Sequence, residues 1–172
     1  MGKQTITVKS ALDAMAKEKP HFRGVADLRK APTAKKVLNG DAAFQAEMAM
    51  SIIRQLGALR PKITSNDPSD FFNVHEIPGY SYYGVNMLSL LLGRKDLPLT
   101  DKDVAELLGE VARFDHLAVL TMPFLPALAG WLQKRKTPLN PAARKSARKI
   151  AKALLTMEGA EENRVSKRFA AL

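Results

Sequence analysis

Apolar residues recur at a helical period along most of this chain, and they alternate at a strand period only in the short run from Thr5 to Lys9. That regularity limits the fold more than any motif does. Val104, Leu107, Leu108, Val111 and Phe114 stand at i, i+3, i+4, i+7 and i+10, which places them on one stripe of a helix. Thr100 precedes the stripe as an N-cap, and Asp103 three residues on completes an acidic form of the capping box. Spacing on the outer face pairs Lys102 with Glu106 and Glu110 with Arg113.

The same reasoning predicts further helices. Asp41 caps one that runs to Gly57, taken as its C-terminal glycine. Met87 to Leu92 is almost wholly apolar and ends at Gly93, as a short buried helix would. Another helix spans about Pro126 to Arg135, because proline is comfortable in a first turn. Asn140-Pro141 starts a long helix that continues to about Glu158, and a terminal helix covers Ala160 to Ala170. Near the N-terminus, Ile6 to Lys17 and Thr33 to Leu38 have weaker helical patterns. The expectation is an all-α fold over residues 1–172, a single domain of mostly antiparallel helices. Its form is either an irregular bundle or a short HEAT-like stack of helical hairpins. A Leu-Leu-Gly string recurs at Leu91 and Leu107, too little to establish a repeat.

Charge is distributed unevenly over these helices. Residues 1–40 carry nine Lys/Arg against three Asp/Glu, residues 41–133 seven against eleven, and residues 134–172 eleven against three. A mildly acidic middle thus lies between two basic ends, for a net charge of +10. Such a field favours anionic partners and says nothing of fold. With no cysteine, disulfides and thiolate chemistry are excluded. The N-terminal region has no apolar run of signal-peptide length. The longest uncharged apolar run, Leu117 to Leu132, is broken by Pro123 and Pro126 and falls short of the ~20 residues of a membrane span. A cytoplasmic protein without membrane insertion is expected.

The stretch from Arg60 to Asn86 breaks the helical rhythm and holds all three tyrosines. Read as a loop, it is long enough to be a binding site or an enzyme's active site within Asn66–Tyr83. His75, Glu76 and Tyr82 are its weak catalytic candidates, since an imidazole beside a carboxylate can move protons near neutral pH. The competing reading is a crossover pinned by Phe71 and Phe72. No catalytic spacing supports the enzyme. Gly79 to Gly84 has one residue too many for the nucleophile elbow, and no phosphate-loop motif occurs. His21, His75 and His116 are too scattered to predict a metal site, and no cofactor is indicated. A helix-turn-helix beginning at Val104 fails because Glu110 and Asp115 occupy positions that should be apolar.

The basic helix after Asn140 is the strongest functional feature. At 100° per residue, Arg144, Lys145, Arg148, Lys149 and Lys152 fall within an arc of about 140°. Ala143, Ala147, Ile150, Ala151, Leu154 and Met157 take the opposite side. Lys134, Arg135 and Lys136 stand just before the helix, and no acidic residue occurs between Asp115 and Glu158. The expected function is therefore a non-enzymatic interaction module. Its partner is an acidic protein or a nucleic acid bound without sequence preference, held by Lys134, Arg135, Lys136, Arg144, Lys145, Arg148, Lys149 and Lys152. A structural subunit of a larger assembly is a further alternative.

Overall fold

The structure, a computed structural model, describes residues 6–18, 28–64, 80–94, 96–117, 120 and 124–172. Among them are eight α-helices and no strand. They are α1 (Val8–Lys17), α2 (Pro32–Leu38), α3 (Ala42–Leu59), α4 (Tyr80–Leu92), α5 (Asp101–Val111), α6 (Phe124–Lys134), α7 (Pro141–Leu155) and α8 (Ala160–Ala170). A 3-10 turn, Arg60–Lys62, extends the end of α3.

Local chemistry explains the helix starts. Ser10 N donates to Thr7 Oγ1 at 3.1 Å and Thr7 N to Ser10 Oγ at 3.0 Å, a reciprocal capping box. That box makes the described part of the short alternating run, Ile6 to Lys9, a helix entry. Asp41 accepts from Phe44 N at 2.8 Å to begin α3. Thr100 and Asp103 form the box expected of α5, at 3.1 and 2.9 Å. Asn140 accepts from Ala143 N at 2.8 Å, with Pro141 supplying the first helical position of α7.

The packing order is a closed circuit rather than a row of consecutive hairpins. α3 packs on α4, α4 on α6, α6 on α8, α8 on α7, α7 on α5, and α5 again on α3. The irregular bundle is the form this describes. α1 and α2 cover α3, and α1 also reaches α4. One core threads the circuit, with Met48, Ile52, Leu56, Leu88, Leu108, Phe124, Leu128, Ile150 and Phe169 all buried. Full burial of one such side chain contributes roughly 1.5–3 kcal/mol, so this circuit is the main source of stability.

Buried polar groups join the elements where they are satisfied. Gln45 Nε2 donates to the carbonyls of Leu38 and Gly40, both at 2.9 Å, tying the end of α2 to α3. Tyr83 is fully buried and its hydroxyl donates to Glu18 Oε2 at 2.8 Å. Thr33 donates to the other oxygen of Glu18 through its backbone N–H at 3.0 Å and through its hydroxyl. One carboxylate thereby links the end of α1 to α2 and α4.

Several sequence expectations are corrected by the packing. α3 continues through Gly57 to Leu59. Gly57 lies inside the helix, and a Cβ on it would have to displace the end of the Glu110 side chain of α5. α4 begins at Tyr80, inside the stretch read as a loop. Gly84 permits this, since a Cβ on it would stand 3.1 Å from Ile52 Cγ2 of α3. α6 starts at Phe124, so Pro126 is its third residue, where no intrahelical N–H bond is lost. α7 stops at Leu155, three residues short of Glu158. Glu106 pairs across the α3–α5 contact with Arg54, at 2.6 and 3.0 Å, rather than along its own helix with Lys102.

Candidate anion-binding surface

α7 separates apolar and charged residues as its sequence predicts. Ala143, Ala147, Ile150, Ala151 and Leu154 are buried against α5 and α8, and Met157 is half-buried. Arg144, Lys145, Arg148, Lys149 and Lys152 are exposed. Alanines at the contact let α7 approach its neighbours closely while the long cationic side chains point away.

The acidic helix beside it does not neutralise this face. α5 packs directly on α7, yet its four carboxylates are engaged elsewhere. Asp101 pairs with Arg135 at 2.6 Å, and Asp103 closes the capping box. Glu106 pairs with Arg54, whose hydrogen bonds hold the Glu106 carboxyl below the usual range. Glu110 takes Arg113 at 2.8 Å and Arg60 at 3.3 Å. On α8, Glu161 pairs with Arg164 of the same helix. Among the described residues no carboxylate forms an ion pair with any of the five α7 cations. Among the described residues the Arg144 guanidinium donates to the Leu139 carbonyl, at 3.2 Å, and to no carboxylate, which leaves its charge uncompensated.

The eight cations predicted as one surface divide into two groups. Five lie on α7. Lys134, Arg135 and Lys136 instead border a cleft at the end of α6, together with Arg94. Arg135 is the most constrained of them, with 13 % of its side chain exposed. Its guanidinium lies 5.2 Å from the centre of the Trp131 ring, donates to the Leu99 carbonyl at 3.2 Å and pairs with Asp101. The α8 cations do not extend the α7 set uniformly. Arg168 reaches back to Gln133 at 3.1 Å and to the Pro126 carbonyl at 3.3 Å, through space that the missing Cβ of Gly130 leaves open.

Of the candidates in the aromatic stretch, His75 and Glu76 lie outside the described residues, as do Phe71 and Phe72. Tyr82 falls in the first turn of α4. Its neighbour Tyr83 is given to structure: burial first, then its hydrogen bond to Glu18, pushes its hydroxyl far above the ordinary range. His116 is half-buried, and its Nδ1 makes no hydrogen bond among the described residues. No group of three potential metal ligands occurs among the described residues, and no helix there is long and apolar enough to cross a membrane.

Sequence reasoning missed Arg29, Lys35 and Arg94, which line clefts beside the Lys134–Lys136 segment. The one visible sign was position, since Arg94 follows the Gly93 that ends α4 and Lys35 lies in the last turn of α2. Comparison finds no match to the chain among protein-family models, curated proteins or solved structures.

Proposed function

We propose that the chain is a non-enzymatic helical interaction module that binds an anionic partner through the exposed face of α7. The partner is a nucleic-acid backbone or an acidic protein surface, bound without sequence reading. One observation carries this. Five cations share one exposed helix face, and the acidic helix packed beneath them places its carboxylates on other groups. With those carboxylates engaged elsewhere, none from α5 offsets the charge of this face. Unpaired, it concentrates positive potential on one side of a protein of net charge +10, which speeds encounter with a polyanion.

The test is the double variant Lys145→Glu/Lys149→Glu, assayed with mixed-sequence duplex DNA and with poly-glutamate at physiological salt. Both positions are exposed, so the circular dichroism spectrum and melting temperature should match the parent. Affinity should fall about tenfold or more for the duplex, through lost phosphate contacts. For the acidic polymer the loss should fall mainly on the association rate. A folded variant that binds both probes as the parent does, or a parent that binds neither, overturns the proposal.

A further inference from the structure

Two clefts open side by side where the C-terminal ends of α2, α4 and α6 come together. One encloses about 210 Å³ and is walled by Arg94, Lys134, Arg135 and Lys136, with buried Trp131 and Leu99 in its lining. The other encloses about 360 Å³ and is lined by Arg29, Lys35, Leu38, Asn39 and Leu90. Gly93 and Arg94 belong to both. Six cations thus surround one divided concavity, and among the described residues no carboxylate lines either part.

Structural duty accounts for only part of this charge. Three helix C-termini contribute about −0.5 charge each, and cations beside them are favourable for that reason alone. Arg94 does cap α2, donating to the Leu38 carbonyl at 2.7 Å. Asp96 stands 4.0 Å from Arg94, and Asp101 pairs with Arg135. With the two carboxylates and all three helix ends set against the six cations, about two to three positive charges are left over. A single carboxylate or a neutral ligand does not match that excess, and a cation is repelled by it.

We propose that the paired clefts bind a small, multiply charged phosphate compound, with phosphoryl groups on either side of Arg94. Two guanidinium groups are held in place before any ligand arrives. Arg94 is fixed by the Leu38 carbonyl, and Arg135 by Asp101, the Leu99 carbonyl and the Trp131 ring. Anchoring reduces the ordering cost of binding, and forked donors suit phosphoryl oxygens. Lys35, Lys134 and Lys136 are exposed and free to fold over the anion. Together the cavities reach the range of about 300–1,000 Å³ usual for small-ligand sites. They are concave, and a nucleic-acid duplex does not enter them. None of the five α7 cations lines either cleft, and the test keeps the two readings apart.

Trp131 is the chain's one tryptophan and lines the first cleft, so its fluorescence reports on that cleft directly. The parent, Lys35→Gln/Lys136→Gln, Lys136→Gln alone and Lys145→Glu/Lys149→Glu are titrated with tripolyphosphate, orthophosphate, citrate and a mixed oligonucleotide. Calorimetry gives the stoichiometry. We expect one tripolyphosphate per chain, bound about tenfold or more tighter than orthophosphate, as its greater charge favours, and tighter than citrate, which matches the excess charge but offers fewer acceptor oxygens to the guanidinium groups. Each cleft variant should weaken it, the double one by about tenfold, and the α7 variant should leave it unchanged. The proposal is overturned by absent tripolyphosphate binding or by cleft variants that bind like the parent. Equal loss in the α7 variant, or an oligonucleotide that binds the cleft as tightly per phosphate, also overturns it. An unchanged cleft affinity in a chain that fails to bind duplex leaves this site standing and removes only the α7 reading.

Discussion

Tyr83→Phe removes one oxygen from the core and nothing else, which makes it a clean probe of how the N-terminal helices are held. Tyr83 is fully buried, and its hydroxyl donates at 2.8 Å to Glu18, the carboxylate that also receives Thr33. Phenylalanine fills the same volume, so no cavity term arises. The loss is that of a hydrogen bond to a charged group, about 1.5–3 kcal/mol. In a chain of 172 residues that lowers the melting temperature by roughly 3–12 °C. The effect should also depend on pH in a known direction. Burial and Glu18 raise the Tyr83 pKa above its ordinary value of 10.0. Below that value both folded and unfolded chains keep the phenolic proton. Above it the unfolded chain releases the proton and the folded chain does not, so stability falls as pH rises. By pH 11 about 1.4 kcal/mol of the tyrosine's advantage should be gone. Urea unfolding followed by circular dichroism at pH 8 and pH 11, on both proteins, measures the difference. Equal stability at pH 8, or a difference that does not shrink at pH 11, would refute the reasoning.

Three further substitutions test the packing. Asn140→Ala should cost α7 about 1 kcal/mol, the usual loss of an N-cap, while leaving the affinity of its cationic face intact when measured well below the melting temperature. Gly84→Val should destabilise by about 1–3 kcal/mol through overpacking on Ile52. Gly109→Ala, where nothing stands within 4 Å of the new carbon, should instead stabilise by about 0.5–1 kcal/mol in thermal melts. A double-mutant cycle on Arg54 and Glu106 should give a coupling of about 0.2–1 kcal/mol, as this pair is largely exposed. Because the Glu106 carboxyl is held below its ordinary pKa, that coupling is present at neutral pH and disappears as acid protonates it.

The helices that were legible in the sequence are those whose ends are specified by adjacent residues. Thr100 with Asp103 and Asn140 with Pro141 fix their helix starts locally, and the inward set of α7 is a property of one helix alone. What was not legible depends on neighbours distant in the chain. Gly57 and Gly84 resemble helix breakers until the packing of α3 on α5 and on α4 gives each a close contact to accommodate. The partner of Glu106 is Arg54, fifty-two residues away, and no spacing rule along α5 reaches it. The cationic clefts form only when the ends of α2, α4 and α6 converge, so Arg94 and Lys35 carried no mark beyond their charge and their place near a helix end. The division of the eight predicted cations has the same origin, since Arg135 is drawn to Asp101 and Trp131 by the fold.

The central claim is that the α7 face binds anions by direct contact, and the salt dependence of binding measures it most directly. Affinity for mixed-sequence duplex DNA is followed over a series of salt concentrations for the parent and for Lys145→Ala/Lys149→Ala. If five α7 cations meet phosphates, the log–log slope should be about −4.5, and removing two of them should make it shallower by about 2. A slope shallower than about −2, or one that the substitutions leave unchanged, would contradict the account.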